Sequence, residues 1–113
     1  MNENIVKSFV DAVRNNDTIV GMAKPLPEIR LFGKGMLHFH NRERTWGIWV
    51  EHFYPVRYRI TVSTFRYEGA TQYTVNSEIY HEVLEHDAAL DLVTSTIIEL
   101  EAPCIQQYNA SLP

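Results

Sequence analysis

After Arg66 the chain contains no lysine or arginine, although residues 67–113 carry eight carboxylates: Glu68, Glu78, Glu82, Glu85, Asp87, Asp91, Glu99 and Glu101. All ten basic side chains lie between Lys7 and Arg66, where six acids leave a formal +4 against the −8 of the remainder. The overall −4 conceals this separation. A field of one sign attracts ligands of the other, so the asymmetry speaks first about partners.

Other scarcities narrow the classes further. The lone cysteine, Cys104, excludes an internal disulfide and fits a reducing compartment. It also lacks the helix start or basic neighbour that would activate a catalytic thiol. No apolar run approaches the roughly 18 residues of a membrane span. The early apolar residues Ile5, Val6, Phe9 and Val10 are interrupted by Lys7, Ser8, Asp11 and Arg14, unlike a secretory leader, so the expectation is a cytoplasmic protein. Glycine is sparse, and Gly33-Lys34-Gly35 has neither the spacing nor the following helix of a phosphate loop. No G-x-S-x-G nucleophile setting occurs. These readings point away from an enzyme and call for no cofactor.

What is present suits one domain over residues 1–113, since 45% apolar content in 113 residues is enough for a single core without metal or disulfide staples. Ile5, Phe9, Ala12 and Val13 fall at helical spacing, Asn4 can cap them, and Asn15-Asn16-Asp17 should stop the helix. Ala23-Lys24-Pro25-Leu26-Pro27 reads as a stiff extended linker. Alternating segments follow at Glu28–Phe32, Met36–His40, Thr45–Phe53, Arg57–Tyr67 and Thr71–Val75, separated by short turns, which predicts an antiparallel meander of four or five strands. On the two longest strands one parity gives a core face of Trp46, Ile48, Val50, Tyr58, Ile60 and Val62. The other gives Trp49, Glu51, Phe53, Arg57, Arg59, Thr61, Ser63, Phe65 and Tyr67, half aromatic and half cationic.

The last segment carries the most regular pattern. Ile79, Val83, His86, Leu90, Val93, Ile97, Leu100 and Cys104 alternate spacings of four and three, which predicts a long acidic helix capped by Asn76 or Ser77 and ended by Pro103. A helix of about 25 residues would reach about 38 Å, beyond the width of a small sheet. Either a second helix starts at Asp87, or Val83, Leu90, Val93, Ile97 and Leu100 face a second copy in a homodimer. The fold class is therefore α+β: an N-terminal helix, an antiparallel meander and a long acidic C-terminal helix. The order helix, strands, helix resembles the double-stranded-RNA-binding domain in outline. Where such a domain applies a basic helix start to phosphates this chain has Glu78, Glu82 and Glu85, which sets the comparison aside.

Three candidate sites emerge. The leading one is the acidic surface of Glu78, Glu82, Glu85, Asp87, Asp91, Glu99 and Glu101. Glu78–Glu82 and Asp87–Asp91 are unfavourable like-charge pairs at i, i+4, and Glu99 and Glu101 oppose the helix dipole, so stability does not select them. They suit a basic protein partner, one that handles nucleic acid, with the carboxylates standing in for a phosphate row. The protein would then be a non-catalytic inhibitor or nucleic-acid mimic, of a type found by size and charge among phage and mobile-element proteins. The second candidate is the sheet face of Trp49, Phe53, Arg57, Arg59, Phe65 and Tyr67, suited to stacking bases and contacting phosphates. The third is a metal-dependent enzyme. In His81-Glu82-Val83-Leu84-Glu85-His86, His81 and Glu85 at i, i+4 of a helix could share a metal, joined by His38 and His40 from one side of a strand.

Overall fold

A computed structural model describes residues 3–22, 25–32, 35–53 and 57–111, with the side chains of 32, 78–84 and 103–111 outside the description. The elements are α1 (Glu3–Arg14), α2 (Asp17–Met22), β1 (Glu28–Phe32), β2 (Met36–His40), β3 (Trp46–Phe53), β4 (Arg57–Glu68), β5 (Thr71–Leu84) and α3 (His86–Ser111). The helix α1 buries Phe9 and Val13, the residues its 3.6-residue period places on one side. Asn15 ends it, and Asn16 immediately caps a second short helix that the spacing does not predict. Its Oδ1 accepts from the Ile19 amide at 3.1 Å, and Asp17 complements the first-turn dipole of α2. Ile19 goes into the core as a result.

The five strands form a meander in the order β1-β2-β3-β4-β5, every neighbouring pair antiparallel. Asn41 shapes the β2–β3 connection. It is buried, its Oδ1 accepts from the amides of Thr45 (2.8 Å) and Trp46 (3.2 Å), and its Nδ2 donates to Thr45 Oγ1 at 2.6 Å. Arg44 completes the turn at φ 55°, a left-handed conformation unusual for a side chain other than glycine or asparagine.

The core lies on one side of the sheet. Leu37, Phe39, Trp46, Ile48, Val50, Tyr58, Ile60 and Val62 meet Phe9, Val13 and Ile19 of the N-terminal helices and Ala89, Val93 and Ile97 of α3. Two polar clasps hold α3 there: Tyr58 Oη lies 2.8 Å from His86 Nδ1, and Trp46 Nε1 donates to Glu101 Oε1 at 2.9 Å. All three helices thus pack on one face, and no described element covers the other. The sequence-derived division of the sheet into two faces holds.

The C-terminal third differs from its sequence reading. Residues 71–84 are one 14-residue strand, so Asn76 and Ser77 cap nothing, Glu78 and Glu82 are on β5, and the helix begins at His86. The Glu85 carbonyl accepts its first bond, from Ala89 N at 2.9 Å. The reason is a competition that spacing alone cannot decide. Ile79, Tyr80, Val83 and Leu84 fit a helix or a strand, but β4 needs a partner on its outer edge, and pairing Ile60 with Tyr80, Thr61 with Ile79 and Val62 with Glu78 satisfies its backbone. The second helix start near Asp87 is the alternative closer to what is seen. Pro103 does not end α3, which continues to Ser111. A proline lacks the N–H that would bond the Glu99 carbonyl and its ring crowds that carbonyl, a cost of about 3 kcal/mol that the helix carries without ending.

The residues named for a dimer seam are engaged within the chain. Val93 and Ile97 are wholly buried in the chain's own core, Leu90 and Leu100 pack against it, and Val83 belongs to β5. The heptad spacing recorded a helix lying on a sheet, because both kinds of packing require an apolar stripe.

Candidate binding face

Strand alternation builds the uncovered face. Cross-strand register aligns Arg30, His38, Trp49 and Thr61 in one row, and Glu28, His40, Gly47, Ser63 and Ser77 in the next. Gly47 is the gap in the second row, and aromatic rings from the first close over it. A Cβ placed there would lie 2.8 Å from His38 Nε2 and 2.9 Å from Trp49 Cη2. The His38 and Trp49 rings stack at 4.3 Å with only 11° between their planes. His40 extends the row on one side, at 5.0 Å from His38, and Phe65 meets Trp49 edge-on at 6.1 Å on the other. Four rings from three strands therefore form a continuous aromatic band across the sheet.

Cations flank the band. Arg59 lies over the Phe53 ring at 5.5 Å and 3.9 Å from Glu51, its cross-strand neighbour. Arg57 is exposed opposite Phe53, and Arg30 and Arg44 are close enough to act on His38. Beside β1, an open groove is lined by Arg14, Leu26, Glu28 and Arg30 among others. His40 is buried, with Nδ1 at 2.9 Å from the Asn41 carbonyl and Nε2 at 3.3 Å from Glu28 Oε2. That anchoring fixes the ring end of the band.

Burial, followed by the charges of His40, Arg30 and Arg44, lowers the His38 pKa from 6.5 to about 4. At neutral pH His38 is thus an uncharged aromatic surface. The folded state resists a proton that the unfolded state accepts, so folding should weaken as pH falls from about 6.5 toward 4 and level off below. His38→Gln should flatten that part of a stability-against-pH curve measured by urea denaturation. An unchanged curve would mean that His38 is solvated.

Trp49, Arg59 and Phe65 are half-buried on this face, and Phe53, Arg57 and Tyr67 are exposed. Tyr67 stands on a hairpin arm where β4 and β5 run past the end of β3, with its hydroxyl accepting from Gln72 Nε2 at 2.9 Å. The six sheet-face residues named from sequence therefore belong to one surface and its extension. Sequence reasoning missed Arg30, Gly47 and the joining of His38 to Trp49. The parity of β1 and β2 carried that signal, but which strands are neighbours has to be known before it can be used.

The acidic set is divided between two elements, β5 and α3 with its start. Glu85, Asp87, Asp91 and Glu99 are exposed along α3 and its start, Glu101 is engaged by Trp46, and the side chains of Glu78 and Glu82 on β5 lie outside the described residues. The proposed metal pair loses its helical spacing, because His81 is in β5 and Glu85 is in the connection after it. Among the described residues no three potential ligands cluster, and no helix is long and apolar enough to cross a membrane.

Compared with known protein families, curated proteins and solved structures, the chain matches none.

Proposed function

We propose that the chain is a non-catalytic binding module whose open sheet face takes single-stranded nucleic acid. One observation carries this reading. The side of the sheet away from the helices, which solvent alone would make polar, presents Trp49, Phe53, Phe65 and Tyr67 among Arg30, Arg57 and Arg59. Rings of this kind stack on bases of any sequence, at about 1–3 kcal/mol each, and arginines meet the phosphates between them.

The acidic helix is the natural objection, and its position answers it. Packed layers sit about 10 Å apart, so the α3 carboxylates lie behind the sheet. Charges separated by more than about 8 Å are largely screened at physiological ionic strength. On the face and its rim the arginines Arg30, Arg44, Arg57 and Arg59 outnumber Glu28 and Glu51.

A second reading keeps the basic protein partner expected from sequence, now on a smaller surface. It rests on the exposed acids Glu85, Asp87, Asp91 and Glu99, of which Asp87 and Asp91 still repel each other at i, i+4.

Titration with a labelled thymidine oligonucleotide should separate the two. Trp49→Ala should weaken binding by about 10- to 100-fold, matching one lost stacking contact. Arg57→Glu with Arg59→Glu should weaken it and flatten its salt dependence. Lysine at Glu85, Asp87 and Asp91 should leave it nearly unchanged. Failure of the wild type to bind, or indifference to Trp49, would reject the sheet-face reading.

A further inference from the structure

The groove beside β1 is where the open face turns the corner of the sheet. Strand alternation puts Arg30 on the open face, at the β1 end of the row that contains His38 and Trp49, and puts Ile29 on the opposite side, where it packs against the core. Both residues line the groove, together with Arg14 from the last turn of α1 and the Pro25-Leu26-Pro27 segment. The groove therefore wraps around the edge strand and joins the helix side of the sheet to the face. Its volume is about 620 Å³, which admits a nucleotide-sized group rather than a single ion.

The chemistry of the lining selects the occupant. Arg14 and Arg30 are both exposed, and among the described residues neither makes an ion pair. Glu28, the acid of the lining, lies 3.3 Å from His40 Nε2. Pro25 and Pro27 offer no amide donor, so the wall they form with Leu26, itself 37% exposed, is stiff and apolar. Two cations beside such a wall fit a phosphodiester with its sugar and base attached, because the planar donor fork of arginine matches phosphate oxygens. Arg30 lies two strand spacings, about 10 Å, from Trp49, so a chain stacked on the aromatic band meets the groove next. We infer, building on the sheet-face reading, that the bound single strand continues over the β1 edge into this groove, where Arg14 and Arg30 hold one of its phosphates and Leu26 packs against the adjoining nucleotide. Arg14 belongs to α1 and the groove rather than to the face, so it isolates the groove contact.

The test titrates the whole protein with labelled thymidine oligonucleotides of four and ten residues. The longer should bind more tightly, and Arg14→Gln should weaken it by about five- to tenfold while changing the shorter less than about twofold. The salt slope for the longer strand should shrink by about 0.7, the share of one phosphate on a single strand. Arg14→Lys should recover part of the loss. Arg66→Gln, which removes a cation from the far arm of the sheet, should leave the difference between the two lengths unchanged. An amide NMR spectrum of the unaltered protein checks the same contact without any variant: the longer strand should shift the Leu26 and Glu28 signals, and the shorter should not. If binding depends on Trp49 but Arg14→Gln weakens both lengths by the same factor, or neither, the groove contact is overturned and the sheet-face reading stands. If neither oligonucleotide binds the wild type, both are overturned.

Discussion

Val93→Asp is expected to unfold the protein rather than to separate two copies of it. Val93 is fully buried where α3 meets the sheet, in the same core as Phe9, Val13, Ile60 and Ile97. An unpaired carboxylate there costs several kcal/mol, against a total stability of about 5–15 kcal/mol for a domain of ordinary robustness. Circular dichroism should show lost structure at 25 °C, or a midpoint of thermal unfolding lowered by well over 10 °C, because about 1 kcal/mol moves the midpoint of a domain this size by roughly 4–8 °C. The exposed control Asp91→Ala should leave the fold intact. A folded Val93→Asp monomer, formed from a wild-type dimer, would restore α3 as an intermolecular seam and contradict the packing described above.

Gly47→Ala is the second substitution expected to act strongly, through an atom that is not there. Gly47 has no left-handed backbone to protect, so a methyl group should be tolerated by the strand itself. The obstacle is the pair of rings above it: contacts of 2.8 Å to His38 and 2.9 Å to Trp49 are shorter than real Cβ atoms make. The stack must open, at a cost of about 1–3 kcal/mol by analogy with overpacked cores. Denaturant unfolding measures that cost, and oligonucleotide affinity should fall with it because the same rings form the band. Repeating the substitution in a Trp49→Ala background supplies the check. If the rings cause the cost, most of it disappears there, and an undiminished cost would place the strain in the backbone.

The sequence already held most of the architecture. Strand boundaries at Glu28–Phe32 and Met36–His40 followed from alternation and turn residues and match the structure. So did the division of β3 and β4 into an apolar face and an aromatic-cationic one, because a period of two is a local property that neighbours do not change. The N-terminal helix was equally plain in the spacing of Ile5, Phe9, Ala12 and Val13. α2 was not, since six residues carry too little periodicity to be distinguished from a turn, and only the Asn16 cap marks it.

Elsewhere the same local signals were ambiguous. Residues 77–85 satisfy a heptad and a strand alike, and the choice fell to β4, whose outer edge would otherwise be unpaired. That single decision moved Glu78 and Glu82 off the helix, removed the helical spacing of His81 and Glu85, and took Val83 out of the supposed dimer seam. The candidate face shows the reverse case. Trp49, Arg59 and Phe65 were recognisable as its members, but the closing of His38 and Trp49 over Gly47 depends on β2 and β3 lying side by side in a particular register.

What the sequence determined alone is whatever depends on near neighbours in the chain: α+β class, strand alternation, an apolar stripe on α3 and the segregation of charge at Arg66. Tertiary structure decided which surfaces those patterns became, because an apolar stripe or a strand edge acquires meaning only from what packs against it. Here the helices took one side of the sheet, leaving the aromatic face open and β5 at the edge.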